Sequence, residues 1–185
     1  RGTLVYDGVV YDHILFRNRG EASTYVSGKN KWRFYFNRAR DFEARDNYGK
    51  KYGETWVQFS GEACSCPWAA LHRGMAGVEE ALSYKIFQLA GVPSPHTQYY
   101  HFRVVRGATE TPPAGTVVSD PIGTADGQYA GDFWGLYLAV EPVKGSFLDE
   151  RGLPEGNLYK IEGNAGDKKA QGPTQVLDSS DWNAL

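Results

Sequence analysis

The sequence contains few of the residues that mark several common classes of protein. Of its 185 residues only two are cysteines, Cys64 and Cys66, and they stand one residue apart. A disulfide bond across a single intervening residue would be strained. The four histidines show no metal-ligand spacing relative to this pair. We therefore expect the cysteines to be small residues in a turn, and their redox state stays open.

The sequence also has no large excess of either charge and no long apolar segment. The 20 Lys and Arg residues against 22 Asp and Glu residues give a net charge of −2, which argues against a strongly basic nucleic-acid-binding protein. No segment reaches the roughly 18 apolar residues that a membrane-spanning helix needs. With 41% hydrophobic and 23% charged residues, the composition is typical of one globular domain, or of a large part of one.

Aromatic residues are plentiful, at 14% of the chain, and their spacing predicts strands. Residues 3–19 are predicted to form two strands joined by a hairpin turn at Asp7-Gly8. In residues 31–36, alternation places Trp32 and Phe34 on one face and Lys31 and Arg33 on the other. We expect the aromatic face to be core and the cationic face to be able to line a cleft.

A helix is predicted over residues 77–90, because apolar residues recur at helical spacing. Glu79 and Glu80 suit its first turn, and Gly91 ends it. Further strands are predicted at 97–105, 133–143 and 157–162. The fold class is therefore α+β, an antiparallel sheet with one main packed helix. Residues 106–132 are expected to be a long hairpin insertion, residues 37–53 a surface excursion, and residues 163–185 a mobile tail.

Three constellations could carry chemistry, and each has an ordinary structural alternative. Basic residues flank the Gly- and Ser-containing loop at 20–30 and could hold phosphate groups, or could form a solvated strand face. Glu80 could pair with the strand cation Arg33, as a helix carboxylate does in kinases, or form a structural salt bridge. Glu141, in an apolar strand, could mark a cleft rim or the end of that strand.

Five segments, taken in their order along the chain, carry a resemblance to a known family. They are FRNRGEAS at 16–23, KNKWRFYF at 29–36, VEEALSYKIFQLAGVPSP at 78–95, GLYLAVEPVKGSFL at 135–148 and GNLYK at 156–160. These segments resemble the CotH kinase-like family, the atypical kinases first known from bacterial spore coats. The resemblance runs from about residue 9 to residue 161, and its most specific stretch is the predicted helix.

The resemblance implies an atypical protein-kinase fold that binds ATP with a divalent metal such as Mg²⁺ and phosphorylates Ser or Thr of surface or coat proteins. The cofactor-binding residues would be Gly20, Ser23, Lys31, Arg33, Glu80 and Glu141. Gly20 and Ser23 would lie in the phosphate-side loop. Arg33 stands where the family has a strand lysine, and Glu80 where it has a helix glutamate. Glu141 would precede the connection between the two lobes of the kinase, where adenine would bind.

The family's P-W-D-x-D-x-x-F-G segment, which supplies metal-binding aspartates, does not occur in this sequence. The resemblance therefore implies a single partial domain, the N-terminal, nucleotide-side part of a longer chain outside the cell or in its envelope, with metal ligands beyond Leu185. No catalytic residue can be assigned. The alternative function is a non-catalytic structural or adhesion module that keeps the kinase-like shape. Sugar recognition by exposed aromatic residues is a third possibility.

Overall fold

The structure is a computed structural model that describes residues 1–20, 30–64, 77–105, 133–162 and 165–184. Three features predicted from sequence lie outside these residues: Ser23 in the phosphate-side loop, Cys66, and the insertion at 106–132.

Six antiparallel strands form the main sheet, in the spatial order β1-β2-β3-β4-β6-β5. The side-chain amide of Gln98 in β5 donates a hydrogen bond to the Tyr6 hydroxyl in β1. The two edge strands therefore approach each other, and the sheet curls into a half-barrel. The strands are β1 (Gly2–Tyr6), β2 (Val9–Arg19), β3 (Lys31–Tyr35), β4 (Gln58–Glu62), β5 (Thr97–Arg103) and β6 (Phe133–Val140).

The first hairpin forms as its turn residues predict. Asp7 and Gly8 both have positive φ, at 49° and 76°, as a two-residue turn between twisted strands requires. His13 also has positive φ, and the pairing of β1 with β2 shifts beside it. Because of this irregularity Tyr11 and Ile14, three residues apart, are both buried. A strict two-residue alternation does not predict that arrangement.

Aromatic rings make up most of the core. Phe34 of β3 lies 4.9 Å from Phe59 of β4, measured between ring centroids, and Phe59 lies 4.9 Å from Phe42. Phe42 is 2% exposed and pairs with Trp56 through a β-bridge. The expectation that residues 37–53 are only a surface excursion is therefore wrong, because backbone pairing with Trp56 brings this segment back onto the core.

The helix α1 (Val78–Leu89) begins and ends close to its predicted bounds. None of its residues is buried, and its apolar stripe is largely exposed, with Leu82 at 53% and Ile86 at 55%. The expectation that this stripe packs on the sheet is wrong. The polar side of the helix carries Glu80 and Tyr84, and the Glu80 carboxylate is close enough for its charge to act on Arg19 of β2.

The remaining elements follow β6 along the chain. They are α2 (Gly145–Asp149), β7 (Leu158–Glu162), β8 (Ala165–Ala170) and α3 (Ser180–Asn183). Strands β7 and β8 form a separate antiparallel pair, and Asp181 of α3 accepts hydrogen bonds from Asn157 and Tyr159. The Gly- and Lys-rich composition after residue 163 predicts a tail, but these contacts give the segment regular structure. The fold is thus α+β and mostly antiparallel sheet. No helix in the described ranges is long and apolar enough to cross a membrane.

Candidate functional site

Strand pairing brings the basic residues of the sequence together on one face of the sheet. Arg19, Lys31 and Glu62 stand side by side on β2, β3 and β4. Arg17, Arg33 and Ser60 occupy a parallel row on the same face, since successive side chains of a strand alternate between faces. We call these two rows the polar face. The opposite face of the same strands carries the aromatic rings of the core.

Glu62 is the carboxylate that organises the polar face. Its side chain is 5% exposed, forms an ion pair with Arg19, and lies 2.8 Å from the Lys31 ammonium. A buried carboxylate needs such cations to offset the cost of its desolvation. Arg19 and Lys31 are each about one-third exposed, so both can still face a ligand from solvent.

Arg33 occupies the middle of the polar face. Its Nη2 donates a hydrogen bond of 3.1 Å to the Ser60 hydroxyl. Its Nε is buried and has no hydrogen-bond partner in the described part of the chain. A guanidinium presents its donors in a fixed planar fork that matches the oxygens of a phosphate group. With respect to the described residues, Arg33 therefore has an unused donor on a cationic surface.

The helix α1 places Glu80 near the polar face, although not in contact with Arg33. The Tyr84 hydroxyl donates to Glu80 at 3.4 Å. Burial lowers the pKa of Arg19, and the charge of Arg33 lowers it further, whereas the negative charge of Glu80 opposes both. Among described residues no ion pair joins Glu80 to Arg33. The charge of the helix carboxylate acts instead on the neighbouring cation, Arg19.

Gly20 follows directly after β2, beside the polar face. Its φ of 104° lies in the region that residues with a side chain rarely adopt. The backbone conformation at this position is therefore one that suits glycine. The loop expected to cover phosphate groups begins here, and Ser23 lies in the part of it outside the described residues.

Glu141 lies directly after β6, at the predicted start of the connection between the two lobes of a kinase. Its side chain, however, is bonded to other residues of the protein. It is fully buried and accepts hydrogen bonds from both terminal nitrogens of Arg151, at 3.1 and 2.7 Å, and from the backbone N–H of His96. Burial raises the pKa of the Glu141 carboxyl, and the bonds from Arg151 and His96 oppose that rise. The carboxylate thus holds the connection in place.

Sequence reasoning did not identify Glu62, which holds the cations of the polar face, or Arg151, which holds Glu141. Alternation in β4 puts Gln58, Ser60 and Glu62 on one face, so a carboxylate opposite the basic strand could have been inferred from spacing alone. Arg151 has no such signal, because it follows α2 and reaches Glu141 only through the fold. In the described residues no group of three or more His, Cys, Asp or Glu side chains is placed to hold a metal ion.

A comparison with known protein families identifies the family of this chain. A family model described as CotH kinase protein matches residues 75–185. The chain belongs to the CotH kinase family. The CotH match includes Glu80, Glu141 and Arg151, while Lys31, Arg33 and Glu62 of the polar face precede it. No curated protein matches the sequence.

Proposed function

We propose that this chain is the nucleotide-side part of a CotH-type atypical protein kinase, and that its polar face binds the phosphate groups of ATP. Membership of the CotH family supports kinase-like chemistry. An antiparallel sheet whose cationic face lies near a helix carboxylate supports an architecture like the N-lobe of a kinase. The acceptors would be Ser or Thr hydroxyls of surface or coat proteins, outside the cell or in its envelope.

The observation that carries the proposal is the buried Nε of Arg33, which has no hydrogen-bond partner among the described residues and lies on a face that also carries Arg17, Arg19 and Lys31. A buried donor without a partner costs about 1–3 kcal/mol. A phosphate oxygen would remove that cost and would gain a charge-assisted hydrogen bond. Cations outnumber carboxylates on this face, so the polyphosphate chain fits its electrostatics.

The residues of the polar face would act through position and charge. ATP, when bound, supplies the phosphoryl group to be transferred. Arg33 would orient its phosphates, and Lys31 and Arg19 would offset their negative charge, while Glu62 keeps both cations in place. Glu80 would restrain Arg19 from the helix side.

The described residues fit the divalent metal of the family less well than they fit the phosphates of a nucleotide. The described residues provide phosphate-binding donors but no cluster of carboxylates for Mg²⁺. The residues that we assign therefore act on the nucleotide phosphates directly. The family resemblance assigns metal binding to an aspartate segment that this sequence does not contain.

Titration of the chain with ATP, by isothermal calorimetry at low ionic strength, tests the proposal. Arg33→Met should weaken ATP binding about tenfold or more, since a hydrogen bond to a charged group contributes roughly 1.5–3 kcal/mol. Arg33→Lys, which restores the lysine expected from the family, should retain part of the affinity. Binding should also weaken as salt rises, because the contacts are ionic.

Lys50→Met is the matched control, since it removes one exposed positive charge in the 37–53 segment, away from the polar face. It should leave ATP affinity nearly unchanged. Equal losses in Arg33→Met and Lys50→Met would show that only overall charge attracts ATP. No measurable ATP binding by the wild-type chain would reject the proposal and favour a non-catalytic structural or adhesion module.

A further inference from the structure

The concave face of the main sheet encloses a cavity of about 570 Å³. It lies on the opposite side of β3 from the polar face. Cavities of roughly 300–1,000 Å³ are the usual size for small-molecule sites. Aromatic side chains from β2, β3, β5 and β6 line much of it: Phe16, Trp32, Phe34, Tyr100, Phe102 and Trp134.

The aromatic walls support one another. The Trp32 and Trp134 rings lie 5.8 Å apart, and Phe102 meets Trp134 edge-on at 5.5 Å. Tyr100 and Phe102 are also edge-on, at 6.0 Å. Such tilted and edge-to-face contacts are favourable for aromatic pairs. The walls are therefore held by contacts within the protein, and the cavity is formed before any ligand enters.

Two polar groups in these walls have no hydrogen-bond partner among the residues that the structure describes. The indole Nε1 of Trp32 and the hydroxyl of Tyr100 are both buried and without a hydrogen bond in the ranges that the structure describes. The Tyr100 hydroxyl lies over Gly61 of β4, where a Cβ would clash with it. Burial raises the pKa of Tyr100 well above 10, so the hydroxyl keeps its proton and can donate it.

The charge around the cavity restricts what it could bind. Arg103 is the one Lys, Arg, Asp or Glu residue among its described lining residues, and its side chain is exposed at the end of β5. An ionised ligand would therefore lose its hydration without gaining a buried counter-charge. A neutral molecule with an oxygen acceptor would instead satisfy the unpartnered donors.

We propose that this cavity binds an uncharged, mainly apolar molecule that presents a carbonyl-type oxygen to Trp32 Nε1 and the Tyr100 hydroxyl. The apolar body of the ligand would stack among the aromatic rings, and its oxygen would accept the hydrogen bonds that the protein leaves unmade. This site is separate from the polar face, and it does not depend on the function proposed there.

Three naphthalenes of similar size test the proposed chemistry by equilibrium dialysis against the full 185-residue chain. The probe 2-acetylnaphthalene carries a carbonyl oxygen, 2-ethylnaphthalene carries none, and 2-naphthoate is an anion. We expect the acetyl compound to bind about 25-fold more tightly than the ethyl compound, since each of the two net hydrogen bonds contributes about 1 kcal/mol. The anion should bind most weakly. Equal binding of the acetyl and ethyl compounds, or no binding of either, would overturn the proposal.

The variants Tyr100→Phe and Trp32→Phe each remove one donor and keep an aromatic ring. Each should weaken binding of 2-acetylnaphthalene about fivefold and leave 2-ethylnaphthalene nearly unchanged. Tyr100→Phe should also raise the melting temperature of the ligand-free chain, because it removes an unsatisfied buried hydroxyl. A lower melting temperature would mean that the hydroxyl already has a partner, which contradicts the proposal.

Tyr35→Phe is the matched control. Tyr35 lies on β3 but on the polar side, where its hydroxyl accepts a hydrogen bond from Arg17. It should not alter the preference for the acetyl compound, and an equal loss in Tyr35→Phe and Tyr100→Phe would refute the assignment of the donor. ATP affinity should be unchanged in Tyr100→Phe, so either proposal can fail while the other stands.

Discussion

The side chain of Arg151 joins three parts of the chain at one guanidinium. It forms two hydrogen bonds to Glu141, donates to the carbonyl oxygens of Phe147 and Ser94, and lies 3.8 Å over the Phe147 ring. A lysine could not make this set of contacts, because its ammonium is a single point charge. The connection after β6 is therefore fixed by geometry as well as by charge.

His96, beside this ion pair, gives the fold a predictable response to pH. Its ring stacks on Tyr52 at 4.2 Å. Burial and the nearby charge of Arg151 together lower the pKa of His96 to about 4, against a smaller opposing effect of Glu150. The unfolded chain binds a proton near pH 6.5 and the folded chain only near pH 4. Stability is therefore fully present above pH 6.5 and falls as the pH drops toward 4.

We predict that His96→Phe, which keeps the stacked ring and removes the titrating group, reduces the loss of stability between pH 7 and pH 5. The wild-type chain should lose on the order of 2 kcal/mol more than the variant over this range, because one unit of pKa corresponds to about 1.4 kcal/mol. Urea unfolding at the two pH values measures the difference. The same pH sensitivity in both proteins would show that His96 is not responsible.

Glu62 shows which residue-scale features can be found from sequence and which cannot. Its place on β4 follows from alternation, once the strand is assigned. Its two partners depend on the register of β4 against β3 and of β3 against β2. Spacing within one segment does not contain that register, so the ion pairs become visible only in the folded sheet.

Strand β3 is the element that the sequence predicts best. Its period-two pattern identifies both faces, and the structure confirms a polar face carrying Lys31 and Arg33 and a buried face carrying Phe34. Segment 37–53 is less predictable, because Phe42 enters the core through a bridge to Trp56, fourteen residues further along the chain. Local patterns report which residues are apolar, but not which distant strand will cover them.

Helix α1 shows the same limit. Its periodicity locates the helix correctly but leaves open which surface meets the apolar stripe. In the structure that stripe is exposed, and the polar side carrying Glu80 and Tyr84 is the one near Arg19. A hydrophobic stripe is therefore evidence for a helix, and only weaker evidence for a particular packing partner.

We predict that polar substitutions in this stripe have little effect on the stability of the chain. Leu82→Gln and Ile86→Gln should each change the free energy of unfolding by less than about 0.5 kcal/mol, as exposed positions usually do. Phe34→Ala should cost about 3–5 kcal/mol, because the ring is buried among other rings. Chemical denaturation compares them. A cost for Leu82→Gln near that for Phe34→Ala would show that the stripe is packed.

At the scale of the whole molecule, phosphate binding and phosphate transfer can be separated. The role proposed for the polar face is to bind the phosphates of a nucleotide, whereas the described residues hold no metal-binding cluster. Transfer needs the metal ions and a base to be positioned as well as the phosphates. A chain with only the first of these should bind ATP without using it.

We predict that the purified 185-residue chain, incubated with magnesium and γ-labelled ATP, transfers no detectable phosphate to itself or to casein. An active Ser/Thr kinase assayed in parallel establishes the detection limit. Labelled phosphoserine or phosphothreonine formed by the purified chain would disprove this and would place the complete catalytic machinery within these residues. The ATP titration is measured separately, so the two results can be compared directly.

The alternation of β3 restricts how this protein can change over evolutionary time. Substitutions at odd-numbered positions, such as Lys31 and Arg33, alter the polar face, while those at even-numbered positions, such as Trp32 and Phe34, alter the cavity. The two surfaces can thus diverge independently. A deletion or insertion of one residue within Lys31–Tyr35 would exchange the faces and damage both at once. Insertions and deletions should therefore accumulate in the connections between strands, while the length and alternation of β3 are kept.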